Sequence, residues 1–100
     1  MVDHEILTML KIDLQISTDK MDVYLLKEIQ AAKSYIEAEG IRLSCSAGDG
    51  MLVEMYAAYL YRRRREENVG MPRMLRWALN NRLFSQKAGL TESESGDVSG

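Results

Sequence analysis

A single cysteine, Cys45, leaves this chain without the means for an intrachain disulfide framework or a cysteine-based metal site. A reducing cytoplasm is the simplest origin. Cys45 sits in Ser44-Cys45-Ser46 with Arg42 as its nearest cation in sequence, which makes it an inert thiol and not an activated nucleophile. Histidine is equally scarce: His4 stands alone near an end expected to fray, so a Ser-His-Asp or Cys-His arrangement would have to recruit a flexible base. No apolar run approaches the roughly 20 residues that cross a bilayer, and the N-terminus lacks the basic flank of an export signal. The stretch Ala47-Gly48-Asp49-Gly50 has neither the lysine nor the glycine spacing of a phosphate-binding loop. Glu37 and Glu39 point to different faces of a helix and Glu66 and Glu67 are adjacent, so neither pair makes a carboxylate dyad at helical contact spacing. Nothing here assembles a catalytic centre, a metal site or a cofactor pocket, and a non-enzymatic protein without cofactor is expected.

What is present favours helices. With 100 residues the chain fits one small domain. Its 46% hydrophobic and 28% charged residues are ordinary for a soluble globular fold. Leu, Met and Ala outnumber valine, and proline occurs once, at Pro72, so the expected class is all-α, a bundle of about four helices. Ile6, Leu7, Met9, Leu10 and Ile12 mark a short first helix within residues 2–14. Ser17-Thr18-Asp19 opens a second, over 18–39, expected to be the longest; its apolar seam is Met21, Leu25, Ile29, Ala32 and Ile36, and Gly40 closes it as a left-handed cap. Residues 41–50 read as an exposed loop with Asp49 as the N-cap of the third helix, about 51–65, whose stripe is Leu52, Met55, Tyr56, Tyr59 and Leu60. Asn68-Val69-Gly70 breaks it. Pro72 suits the first turn of a fourth helix, seamed by Met71, Leu75, Ala78, Leu79 and Leu83, running to about Gln86 and stopped by Gly89. Residues 1–90 form the helical domain, and residues 91–100, polar and acidic with one valine, are expected to be a free tail.

Charge is unevenly divided. Residues 1–50 hold five basic and nine acidic groups, residues 51–90 eight basic and three acidic ones, and the last ten residues add three acids. A small body with an acidic part, a basic part and an acidic tail has the polarity for head-to-tail contact with copies of itself. The densest feature is Tyr59-Leu60-Tyr61-Arg62-Arg63-Arg64-Arg65-Glu66-Glu67. At about 100° per residue four successive arginines wrap a full turn, so some must meet a neighbouring element. They suit phosphate binding beside the stacking surfaces of Tyr59, Tyr61 and Trp77, complement of the helix's negative end, or a contact in which arginine forks pair with the acidic half of another protomer. Trp77 falls off the fourth helix's seam, and an exposed tryptophan marks an interface. The candidate protein-interaction residues are therefore Arg62, Arg63, Arg64, Arg65, Arg73, Arg76 and Trp77.

The order of elements carries a resemblance. A short first helix, a long Ser/Thr/Asp-capped and Ala-containing second helix ending Tyr35-Ile36-Glu37, a glycine loop, and a Met/Val/Ala/Tyr helix ending Leu60-Tyr61-Arg62-Arg63-Arg64 together resemble the head-tail connector proteins of Gram-positive phages and prophages. Residues 71–87, Met-Pro-Arg-Met-Leu-Arg-Trp-Ala-Leu-Asn-Asn-Arg-Leu-Phe-Ser-Gln-Lys, are similar to the closing helix of one branch. The resemblance spans residues 5–88. It implies a structural adaptor, made in the host cytoplasm and placed at the head-tail junction of the virion. Such a protein assembles as a homo-oligomeric ring between the portal protein and the neck or tail completion proteins, and it can be a monomer when isolated. DNA passes through its centre as genome only, and no membrane is involved. The alternative is a small helical nucleic-acid-binding regulator using the basic 62–87 region.

Overall fold

The computed structural model describes the backbone of residues 1–99 and the side chains of residues 1–89. Four α-helices, and no strand, are present among the described residues: α1 (Asp3–Leu14), α2 (Asp22–Ala38), α3 (Ala47–Arg65) and α4 (Arg73–Ser99). The chain is an all-α bundle. No helix of the described residues is long and apolar enough to cross a membrane.

Local chemistry sets each boundary. Glu5 Oε1 accepts from the Val2 backbone N–H at 3.0 Å, securing the start of α1, and Gln15 ends the helix in the left-handed conformation (φ 58°) while the Ile16 N–H donates to the Lys11 carbonyl. Thr18 Oγ1 accepts from the Lys20 N–H and opens a 3-10 turn at Asp19–Met21 that leads into α2. The second helix is thus shorter than residues 18–39, because its first turn winds more tightly, and it is not the longest: α3 and α4 both exceed it. Gly40, at φ 98°, closes α2 as expected, a conformation that a Cβ would strain.

Two further boundaries differ from the sequence reading. The N-cap of α3 is Ser46, whose Oγ accepts from the Asp49 N–H at 3.1 Å, so the helix begins four residues before Met51. Asp49 lies inside its first turn, where its carboxylate accepts from the Ser44 N–H and hydroxyl. Gly89 does not end α4: with no Cβ contact to satisfy or avoid, it is carried within the helix. The expected free tail, residues 91–100, lies outside the residues described with their side chains.

The third helix is the axis of the bundle. Its buried residues face in every direction, Leu52, Val53, Tyr56, Ala57, Ala58, Tyr59 and Leu60 among them, because α1, α2 and α4 all pack on it. Ile6, Leu7 and Leu10 come from α1, Leu25, Ile29, Ala32 and Ile36 from α2, and Leu75 and Leu79 from α4. Each large side chain removed from water contributes ~1.5–3 kcal/mol. Ala57 and Ala58, both buried, let the neighbouring helices approach the axis closely.

Candidate interaction surface

The consecutive arginines at the end of α3 divide by what they touch. Arg64 Nε lies 3.0 Å from Glu28 Oε1, a carboxylate buried on α2, and Arg62 reaches Asp13 on α1 at 3.5 Å. These two tie α3 to its neighbours. Arg63 instead lies over the Tyr59 ring, 5.4 Å from its centroid, and Arg65 over the Tyr61 ring at 4.4 Å. A ring face attracts a cation without cancelling its charge. Arg63 and Arg65 are exposed and keep their charge for a partner.

The fourth helix repeats the division. Arg76 forks onto Glu39, Nη1 to Oε1 at 2.8 Å and Nη2 to Oε2 at 3.1 Å, so it is a link to the end of α2 before it is anything else. Arg73, exposed at the first turn of α4, meets no carboxylate among the described residues. Trp77 is 66% exposed, as its position off the seam predicts. Of the candidate interaction residues, Arg63, Arg65, Arg73 and Trp77 are therefore the ones whose charge or apolar surface is left over, while Arg62, Arg64 and Arg76 are engaged within the fold. A shallow hollow of about 520 Å³, lined by residues 63–69, lies where α3 turns toward α4. Asn68 makes that turn at φ 62°, a conformation asparagine tolerates.

Two arrangements had no signal in the sequence. Arg82 grips Asp49 with Nε at 2.6 Å from Oδ1 and Nη2 at 3.0 Å from Oδ2, and the same Nη2 donates to the Arg42 carbonyl at 2.7 Å. Beside it Gln86 donates to the Gly40 carbonyl and accepts from the Arg42 N–H, so one turn of α4 satisfies the backbone of the α2–α3 loop. Burial pushes the Asp49 carboxyl up, but the Arg82 fork and the Ser44 donors outweigh it and hold the group below its ordinary value.

The second arrangement joins carboxyl groups from two helices far apart in the chain. Glu54 on α3 is buried with its Oε2 lacking a hydrogen-bond partner. Burial foremost, then the hydrogen bond and charge of Asp13 on α1, push the Glu54 carboxyl up to about 8, against the pull of Arg62. The shift favours the protonated Glu54 carboxyl at neutral pH, with the Asp13 carboxylate as the acceptor beside it. Helical spacing within one segment cannot find such a dyad, because its members come from different helices. The pair lies outside the hollow at residues 63–69.

The aromatic side chains serve packing more than display. Tyr35 and Tyr56 stack with ring centroids 5.8 Å apart and planes 8° from parallel, Tyr59 meets Tyr56 edge-on, and Tyr24 meets Tyr61 edge-on. Tyr59 and Tyr61 carry arginines on their faces and so are not bare stacking platforms for bases. Neither a family model, nor a curated protein sequence, nor a solved structure matches this chain.

Proposed function

We propose that this chain is a structural assembly protein of the head-tail connector kind, one protomer of a ring between portal and neck or tail proteins around the DNA passage. The observation that supports it most is the partition of the cations. Arg62, Arg64, Arg76 and Arg82 are engaged in holding the helices together, and Arg63, Arg65 and Arg73 remain unneutralised in the half of the chain that also bares Trp77. A surface of uncancelled guanidinium groups with an exposed indole suits recognition of an acidic protein surface.

The same cations favour a second reading, nucleic-acid binding, and salt separates the two. Light scattering over a range of concentrations, beside gel shifts with duplex and single strands, tests both. A concentration-dependent mass with negligible nucleic-acid binding supports the connector. Tight binding of nucleic acid by a monomer, falling steeply with salt, replaces it with the regulator.

A further inference from the structure

The outward face of α4 carries a stripe that nothing in the described chain covers. Met74, Trp77 and Phe84 are 72%, 66% and 73% exposed, and with Asn81 between them they recur at spacings of three, four and three. Leu75 and Leu79, on the opposite side of the helix, are each 1% exposed and hold α4 on α3. The stripe is thus a seam of the kind that packs on another surface, turned away from its own bundle. Every charged residue of 68–91 is basic, but Arg76 is paired with Glu39 and Arg82 with Asp49, so Arg73 is the arginine beside the stripe that meets no carboxylate among the described residues. A surface that covers the stripe is apolar and offers a carboxylate to Arg73.

The chain itself has such a place. An open hollow of about 450 Å³ lies between α1, the end of α2 and the start of α3, lined by Met1, Val2 and Leu43 over the buried Ile6 and Val53, with Asp3, Lys33 and Glu37 at its rim. Lys33 neutralises Asp3. Glu37 is exposed and meets no cation among the described residues. A knob framed by an unpaired arginine and a hollow rimmed by an unpaired glutamate, on different parts of one molecule, define a heterologous contact that closes into a ring or runs on as a filament. We infer that the Met74/Trp77/Phe84 stripe of one copy docks in the Met1/Val2/Leu43 hollow of the next, with Arg73 of one facing Glu37 of the other. This deepens the connector reading by assigning its subunit contact, and it rests on that reading for the ring.

Sedimentation velocity of the full chain over a concentration series tests the contact. Trp77→Ala weakens self-association by about thirtyfold or more. Arg73→Glu and Glu37→Arg each weaken it, and the two reversals combined in one chain restore it. A chain carrying Val2→Arg and Glu37→Arg presents a repulsive hollow and an intact stripe. Mixed with Trp77→Ala, it forms discrete dimers and nothing larger, because each partner has one working surface. Unchanged far-UV circular dichroism checks that the variants fold. A wild type that stays monomeric to about 1 mM overturns the contact. So does association indifferent to Trp77 and to both reversals, an outcome that leaves the connector reading standing on some other interface. Association that occurs only with added nucleic acid overturns both.

Discussion

Replacing Glu54 by glutamine should make the protein more stable at alkaline pH and leave it nearly unchanged in acid. The carboxyl is pushed from its ordinary value of 4.5 up to about 8 in the folded chain, chiefly by burial and then by Asp13. A folded state that holds a proton the unfolded state has released loses stability as pH rises, here from about 4.5 through about 8, and levels off above. At ~1.4 kcal/mol per pH unit, that interval sets an upper limit of about 5 kcal/mol on the loss. Relaxation and water entry at the α1–α3 contact reduce it to an expected ~2 kcal/mol. The amide introduced by Glu54→Gln fills the same space, donates to Asp13 and never ionises, so the variant should gain that ~2 kcal/mol at pH 9, a rise in Tm of roughly 8–16 °C for a domain this size. Thermal unfolding of both proteins at half-unit steps from pH 5 to pH 9.5 measures it. A wild-type Tm that is flat from pH 6 to 9, or a glutamine variant less stable than wild type at pH 9, would refute the raised Glu54 carboxyl.

The divided arginine run should show in mutagenesis: Arg64→Ala strands the buried Glu28 carboxylate and costs ~1–3 kcal/mol, whereas Arg65→Ala loses one ring contact and costs at most ~1 kcal/mol. Urea unfolding of the two variants ranks them, and equal losses would mean that the partition is wrong. Arg82→Met removes the fork from buried Asp49 and the cap from the Arg42 carbonyl, for a loss of ~3–5 kcal/mol at pH 7. Because the Asp49 carboxyl is held below its ordinary value of 3.8, the stability it contributes is present above that value and is lost as pH falls through its folded value. The Arg82→Met deficit should therefore shrink in acid, as parallel melts at pH 7 and pH 2.5 would report. Gly40→Ala forces a Cβ into the left-handed region at φ 98° and should lower stability by ~1 kcal/mol or more; an unchanged urea midpoint would show that the α2 cap relaxes.

Much of the fold follows from local signals. The period-3.6 seams of α1 and α2, the Thr18 cap, the Gly40 stop and the Asn68–Pro72 break are choices a few neighbouring residues make by themselves, and each stands in the structure near where the pattern places it. Caps are harder to read where several residues compete. Ser46 and Asp49 can both cap, and Ser46 wins because Arg82 on another helix draws the Asp49 carboxylate away from the cap position. Gln15 makes a left-handed turn with no glycine to announce it. Trp77 was legible as an exposed residue because it leaves the Leu75–Leu79 face of its own helix.

Residue order alone determined the class of the molecule, the positions of its helices and the crowding of positive charge at the end of α3, since propensity, periodicity and charge are properties of short stretches. Tertiary structure decided which of those charges remain. Arg62 and Arg64 find carboxylates on α1 and α2, Arg63 and Arg65 find ring faces, and Glu54 finds Asp13, most of them through contacts between helices that lie far apart in the chain. Neutralisation falls off over a few ångströms, so only the packing of the bundle could sort the cations that hold it together from those left for a neighbour.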